Sequence, residues 1–150
     1  MKNRLISSFL VIGLAYFGFS YLDNSHPSCV NLYVDFGSLN DETKIEQCVQ
    51  VSGEVNALEM LRSAGYTTEG TSKYGDAVVC RLNGLPDKSV ESCEVMPPEN
   101  AYWAVIIKEK KPLLFFNEWG WAQTGINNIY LSSGDSLGLV FSTNGDLKWP

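Results

Sequence analysis

Four cysteines, Cys29, Cys48, Cys80 and Cys93, constrain this chain more than any other feature, because of what precedes them. Met1-Lys-Asn-Arg4 places positive charge ahead of residues 5–22, an uncharged, largely apolar run of 18 residues with Asp23 just beyond it. That arrangement is an export signal whose basic end stays inside. Eighteen residues is long for a cleaved signal core and about the minimum for a membrane span, so residues 1–22 read as a signal peptide or a signal anchor. Gly18 and Ser20 permit cleavage after Ser20, within a bulky setting of Phe17, Phe19 and Tyr21. Cys29 follows His-Pro-Ser, which is no lipobox. Residues 23–28 then form a linker, and residues 29–150 a single exported domain, periplasmic or secreted and held at the membrane only if the leader is kept.

In an oxidising compartment four cysteines form two disulfides, with three connectivities available. Strand geometry selects among them. Residues 30–36 alternate and carry β-branched and aromatic side chains, residues 37–42 are turn-rich, and residues 44–51 can return antiparallel. A Cys29–Cys48 bond staples the open end of that hairpin. Cys80 ends the apolar run Ala77-Val-Val and is followed by Asn83-Gly84, a strong turn dipeptide that lets Cys93 come back beside it. Local pairing, Cys29 with Cys48 and Cys80 with Cys93, is therefore expected. Each bond would contribute about 3 kcal/mol in the chain-entropy treatment. No Cys-x-x-Cys occurs and the sole histidine, His26, lies in the linker, so no metal site is predicted.

Between the two staples lies one short helix. Asn56-Ala-Leu-Glu59 has the form of a capping box, Val55 and Met60 can make a hydrophobic staple, and Gly65 supplies the stop. Ala57, Leu58, Leu61 and Ala64 share one face. Strands are predicted over 77–82, 102–107, 113–117 and 137–142, joined by polar, Gly- and Pro-containing connections. Hairpin, helix crossing a mixed sheet, then further strands is the order of an α+β, β-grasp-like fold.

Val34-Asp-Phe-Gly37, Ala57-Leu-Glu-Met-Leu-Arg-Ser-Ala-Gly65, Val79-Cys-Arg-Leu-Asn-Gly84, Ala101-Tyr-Trp103 and Gly134-Asp135 occur in that order. Together they resemble the transcobalamin C-terminal-like β-grasp domain family, including its exported bacterial members with two disulfides. The resemblance covers about residues 29–142. It implies a β-grasp module on an exported protein, with cobalamin as a candidate ligand and Tyr102 and Trp103 as the ligand contacts that carry over.

Charge and residue chemistry narrow the function further. The formal net charge is −6, and without Lys2 and Arg4 it is −8, which argues against a phosphate-binding surface and hence against nucleic acid. With His26 in the linker, a Ser/His/Asp or Cys/His site has no base, and no residue reads as catalytic. Glu118 and Asp135 are the carboxylates that an envelope hydrolase would need, although Gly134-Asp135 is more simply a tight turn. The aromatic residues are denser in chemical meaning. Tyr102 and Trp103 are neighbours on a strand and must face opposite sides, as must Phe115 and Phe116. Trp119-Gly-Trp121, followed by an amide-rich segment ending near Tyr130, places flat faces beside hydrogen-bonding groups. These residues either cover the sheet as a second small core or form a recognition surface. The expected function is an extracytoplasmic binding module using Tyr102, Trp103, Trp119, Trp121 and Tyr130 to hold a small ligand, an envelope glycan or a partner protein.

Overall fold

The computed structural model describes residues 28–41, 44–110, 118–145, 147 and 149–150. The leader over 1–22 and the strand expected over 113–117 lie outside the described residues. The chain begins with the expected hairpin: β1 (Cys29–Asp35) pairs antiparallel with β2 (Ile45–Gln50), from Cys29 opposite Gln50 to Val34 opposite Ile45. Cys29 and Cys48 are bonded across it with their Cα atoms 5.5 Å apart. One face of β1 consists of Val30, Leu32 and Val34, all buried, and this alternation fixes which side of the sheet becomes the core.

A two-residue strand, β3 (Val55–Asn56), leads into the helix α1 (Ala57–Ser63). Asn56 caps it, its side-chain oxygen accepting the Leu58 amide at 3.0 Å. The far end closes as a Schellman turn: Gly65, at φ +90°, donates to the Arg62 carbonyl and Tyr66 to the Leu61 carbonyl. Ala57, Met60 and Leu61 are the buried helix residues. They enter the main core with Val30, Leu32, Val34, Phe36, Trp103, Leu137, Leu139 and Phe141.

After the helix come β4 (Thr68–Glu69) and β5 (Arg81–Leu82), an antiparallel pair. Asn83-Gly84 behaves as its sequence demands, with φ +52° and +79° and reciprocal backbone bonds between Leu82 and Leu85. The strand expected over 77–82 is shorter than predicted. Its first half bonds to two different segments, the Ala77 carbonyl to the Ile126 amide and the Cys80 amide to the Glu69 carbonyl, so no single ladder forms there. Cys80 and Cys93 are bonded, with 5.7 Å between Cα atoms. Inside the loop they close lies Arg81, 2% exposed. Its Nε donates to the Pro86 carbonyl at 3.0 Å, its Nη2 to the Glu91 carbonyl, and its Nη1 pairs with Glu69 Oε1 at 2.6 Å.

The second half supplies the rest of the sheet: β6 (Ala101–Lys108), β7 (Gly120–Trp121), β8 (Tyr130–Leu131, paired with β3) and β9 (Ser136–Thr143). The five-stranded sheet runs β2-β1-β9-β6-β7, with β1 and β9 parallel at its centre and the other pairings antiparallel. The fold is thus α+β, one helix on a mixed sheet. Two disulfides fit an oxidising, extracytoplasmic compartment. Among the described residues no helix is long and apolar enough to cross a membrane.

Candidate functional site

The register assigns every central side chain to one of two faces. Opposite the helix, the outer face carries Asn31, Tyr33 and Asp35 of β1, Ser136, Gly138 and Val140 of β9, and Tyr102, Ala104, Ile106 and Lys108 of β6. Tyr33, Ala104, Ile106 and Val140 form a small second core here, with Tyr102, Trp119 and Leu147 packed against it. Gly138 makes this possible. A Cβ at that position would lie 2.5 Å from Ile106 Cγ1 and 3.2 Å from Trp119 Cζ3, so the bare glycine lets both side chains come this close to the sheet.

Trp119 rests 6.3 Å from the Tyr33 ring, tilted by 54°. Lys108 Nζ stands 6.0 Å from the Trp119 ring centroid, and Lys44 Nζ 5.5 Å from that of Tyr33. The Tyr33 hydroxyl is buried without a partner in hydrogen-bonding geometry among the described residues. Lys44 stands close enough to interact with it. That proximity is the foremost influence raising Lys44 above its ordinary value of 10.5; Asp35, whose Oδ2 is 3.6 Å from the ammonium, adds to it and partial desolvation opposes it.

A cleft of about 490 Å³ opens over this face, lined chiefly by Asn31, Tyr33, Glu46, Lys108, Trp119 and Ser136, with Pro150 at its margin. Its size lies in the range of small-molecule sites. Its chemistry is an aromatic platform surrounded by a carboxylate, an amide, a hydroxyl and an ammonium.

The five residues singled out in the sequence do not share one surface. Tyr102 and Trp103 do face opposite sides. Trp103 is 4% exposed in the main core, its ring edge-on to Phe36 and Phe141 at 5.3 and 5.4 Å, and its Nε1 donates to the Leu85 carbonyl at 3.0 Å. Tyr102 is half-buried on the outer face. Trp121, opposite Ile106 in the register and 44% exposed, meets the Trp149 ring edge-on at 5.8 Å. Tyr130, 61% exposed, sits apart on β8. Tyr102, Trp119 and Trp121 are therefore the members brought to the outer face. Asn31, Tyr33, Glu46 and Ser136 join them without a sequence signal of their own beyond Asn31-x-Tyr33-x-Asp35, which alternates with Val30, Leu32 and Val34 and marks the second face of β1 as polar and aromatic. Lys108, whose basic cluster with Lys110 and Lys111 reads from sequence as a solvated turn, also lines the cleft.

A second cleft, of about 500 Å³, is walled by Val78, Val79, Met96, Pro97, Tyr102 and Trp103, with Glu99 beside it. It is more apolar and offers a single charged group. Asp135 is committed to its turn: Oδ1 accepts the Lys110 amide and Oδ2 the Ser132 amide, both at 2.8 Å, while its carbonyl accepts the Asn31 amide at 2.9 Å. Glu118 is exposed. Among the described residues no group of three metal-ligating side chains is assembled. No protein-family model matches the chain, and neither curated proteins nor solved structures give a significant match.

Proposed function

We propose that this chain is an extracytoplasmic binding module whose outer sheet face holds a small, ring-bearing polar ligand, with a glycan unit as the chemistry that fits it best. The observation that carries this reading is Trp119, seated close over Gly138 and sharing one cleft with Asn31, Glu46, Lys108 and Ser136. A sugar ring has an apolar C–H face suited to an indole and hydroxyls suited to a carboxylate and an amide. Tyr33, whose ring centroid lies 6.3 Å from that of Trp119, extends the aromatic surface of the same cleft.

The β-grasp-like reading is supported by the hairpin–helix order and by a sheet that runs β2-β1-β9-β6-β7 with β1 parallel to β9. Placement of the domain outside the cytoplasm, periplasmic or secreted, rests on the leader at 1–22 together with the two disulfides. The family resemblance adds cobalamin as a competing ligand, with Tyr102 as its remaining accessible contact because Trp103 is enclosed.

Tryptophan fluorescence during titration with soluble envelope oligosaccharides, and separately with cobalamin, tests the proposal. A saturable change with the sugars that disappears in Trp119→Phe is expected. Flat sugar titrations would reject it, and a visible-band shift of cobalamin alone would transfer the site to the corrinoid.

A further inference from the structure

Apart from the outer cleft, the sheet has an open edge. β2 has β1 on one side and no strand on the other among the described residues. In an antiparallel ladder alternate residues turn their backbone groups toward the partner. The Val51 amide bonds the Ser28 carbonyl, so by alternation Val49, Gln47 and Ile45 face β1. The N–H and C=O groups of Glu46, Cys48 and Gln50 consequently face outward. Natural edges are blunted by Lys, Pro, bulges or a covering element. β2 is six residues long, its register to β1 is unbroken, residues 45–61 contain no Lys, Arg or Pro, and the Cys29–Cys48 bond holds the edge in place.

Beside the end of this edge a cleft of about 190 Å³ lies between β2 and α1, lined by Val49, Gln50, Val51, Glu54, Val55 and Met60 among others. A strand added to β2 would alternate its side chains, one set toward this recess, where Val49, Val51, Val55 and Met60 stand among Gln50, Ser52, Glu54 and Ser63, and the other toward Glu46 and Gln50. β2 and the turn that follows it carry the exposed carboxylates Glu46 and Glu54, with Lys44 just before the strand and no basic residue from there to Arg62. A second copy of the chain would bring the same acidic edge and a like net charge. A basic strand complements both.

We propose that the free edge of β2 is a docking strand for an extended segment of a partner protein, with aliphatic residues alternating with Lys or Arg, added to the sheet by backbone hydrogen bonds. The proposal shares Glu46 with the outer-face cleft but rests on the backbone groups of the edge, not on the ligand of that cleft.

The test uses the full chain and a fluorescein-labelled Lys-Val-Lys-Val-Lys-Val peptide, followed by anisotropy and by amide exchange. Saturable binding is expected, with slowed exchange at Glu46, Cys48 and Gln50. Affinity should fall at least about tenfold when alternate peptide nitrogens are methylated, and similarly with a Glu-Val repeat. Gln50→Pro removes an outward donor that β1 does not use, and Glu54→Lys reverses a charge at the recess; each should weaken binding. Should Gln50→Pro fail to fold, Glu54→Lys and the methylated peptide still decide the matter. Equal affinity for the methylated peptide, unchanged exchange at the three amides, or no binding at about 1 mM peptide would overturn the proposal. Concentration-dependent protection of those amides without peptide would also overturn it, giving the edge to a second copy.

Discussion

Arg81→Ala is the substitution whose effect follows most directly from the packing. The guanidinium is enclosed by the loop that Cys80 and Cys93 close, and it satisfies the Pro86 and Glu91 carbonyls while pairing with Glu69. A hydrogen bond to a charged group contributes about 1.5–3 kcal/mol, so two carbonyl bonds account for roughly 3–6 kcal/mol. The Glu69 pairing adds little, about 0–1 kcal/mol, because that side chain is 49% exposed and water replaces its partner. At about 4 °C per kcal/mol for a domain of this size, Tm should fall by roughly 12–24 °C in calorimetry of the oxidised protein. Lys should not rescue, since an ammonium cannot reach divergent acceptors with a planar fork. The effect should also depend on the disulfide. With Cys80 and Cys93 both replaced by Ala, the loop no longer holds its carbonyls in place, and the cost of Arg81→Ala should drop by more than about 1 kcal/mol. A cost below about 1 kcal/mol, equal with and without the disulfide, would refute the view that loop and guanidinium form one unit.

Gly138→Ala should displace Ile106 and Trp119 and cost about 1–3 kcal/mol, seen as a lowered Tm and altered near-ultraviolet circular dichroism; an unchanged tryptophan signal would contradict the close approach. Lys44 has a folded pKa raised above 10.5, so the stability it contributes is fully present below that value and is lost as pH rises through the folded pKa. Its side chain is half exposed, so the contribution is below about 1 kcal/mol after screening. Comparing thermal melts of Lys44→Met and the parent across alkaline pH should show their difference shrinking there, and a constant difference would contradict the assignment.

The sequence was most legible where local chemistry and tertiary structure agree. The β-prone run over 30–36, the Asn56 cap, Gly65 and the Asn83-Gly84 turn each act within a few residues, and each element forms where expected, although both faces of β1 are buried apart from Asn31. The cysteine pairing was legible because the two hairpin-like segments already bring the partners together. Illegible were β3, β4, β7 and β8, two-residue strands that exist only because distant segments meet them. The run Ala77-Val-Val has strand propensity, whereas the Ala77 backbone is divided between Tyr74 and Ile126 and only Cys80, beyond the run, bonds Glu69. The site divides in the same way. Opposite orientation of Tyr102 and Trp103 follows from the pleat alone, but which of them is enclosed depends on Phe36 and Phe141 from other strands. Glu46 and Lys108 join Trp119 only through the order of strands in the sheet.

The most direct test of the outer-face site is amide and indole chemical-shift mapping of the protein titrated with the oligosaccharide that gives the strongest fluorescence response. The account predicts shifts centred on Asn31, Glu46, Lys108, Ser136 and the Trp119 indole N–H, with the cleft beside Val78 and Met96 unaffected. Shifts confined to that second cleft, or scattered without a centre on Trp119, would contradict it.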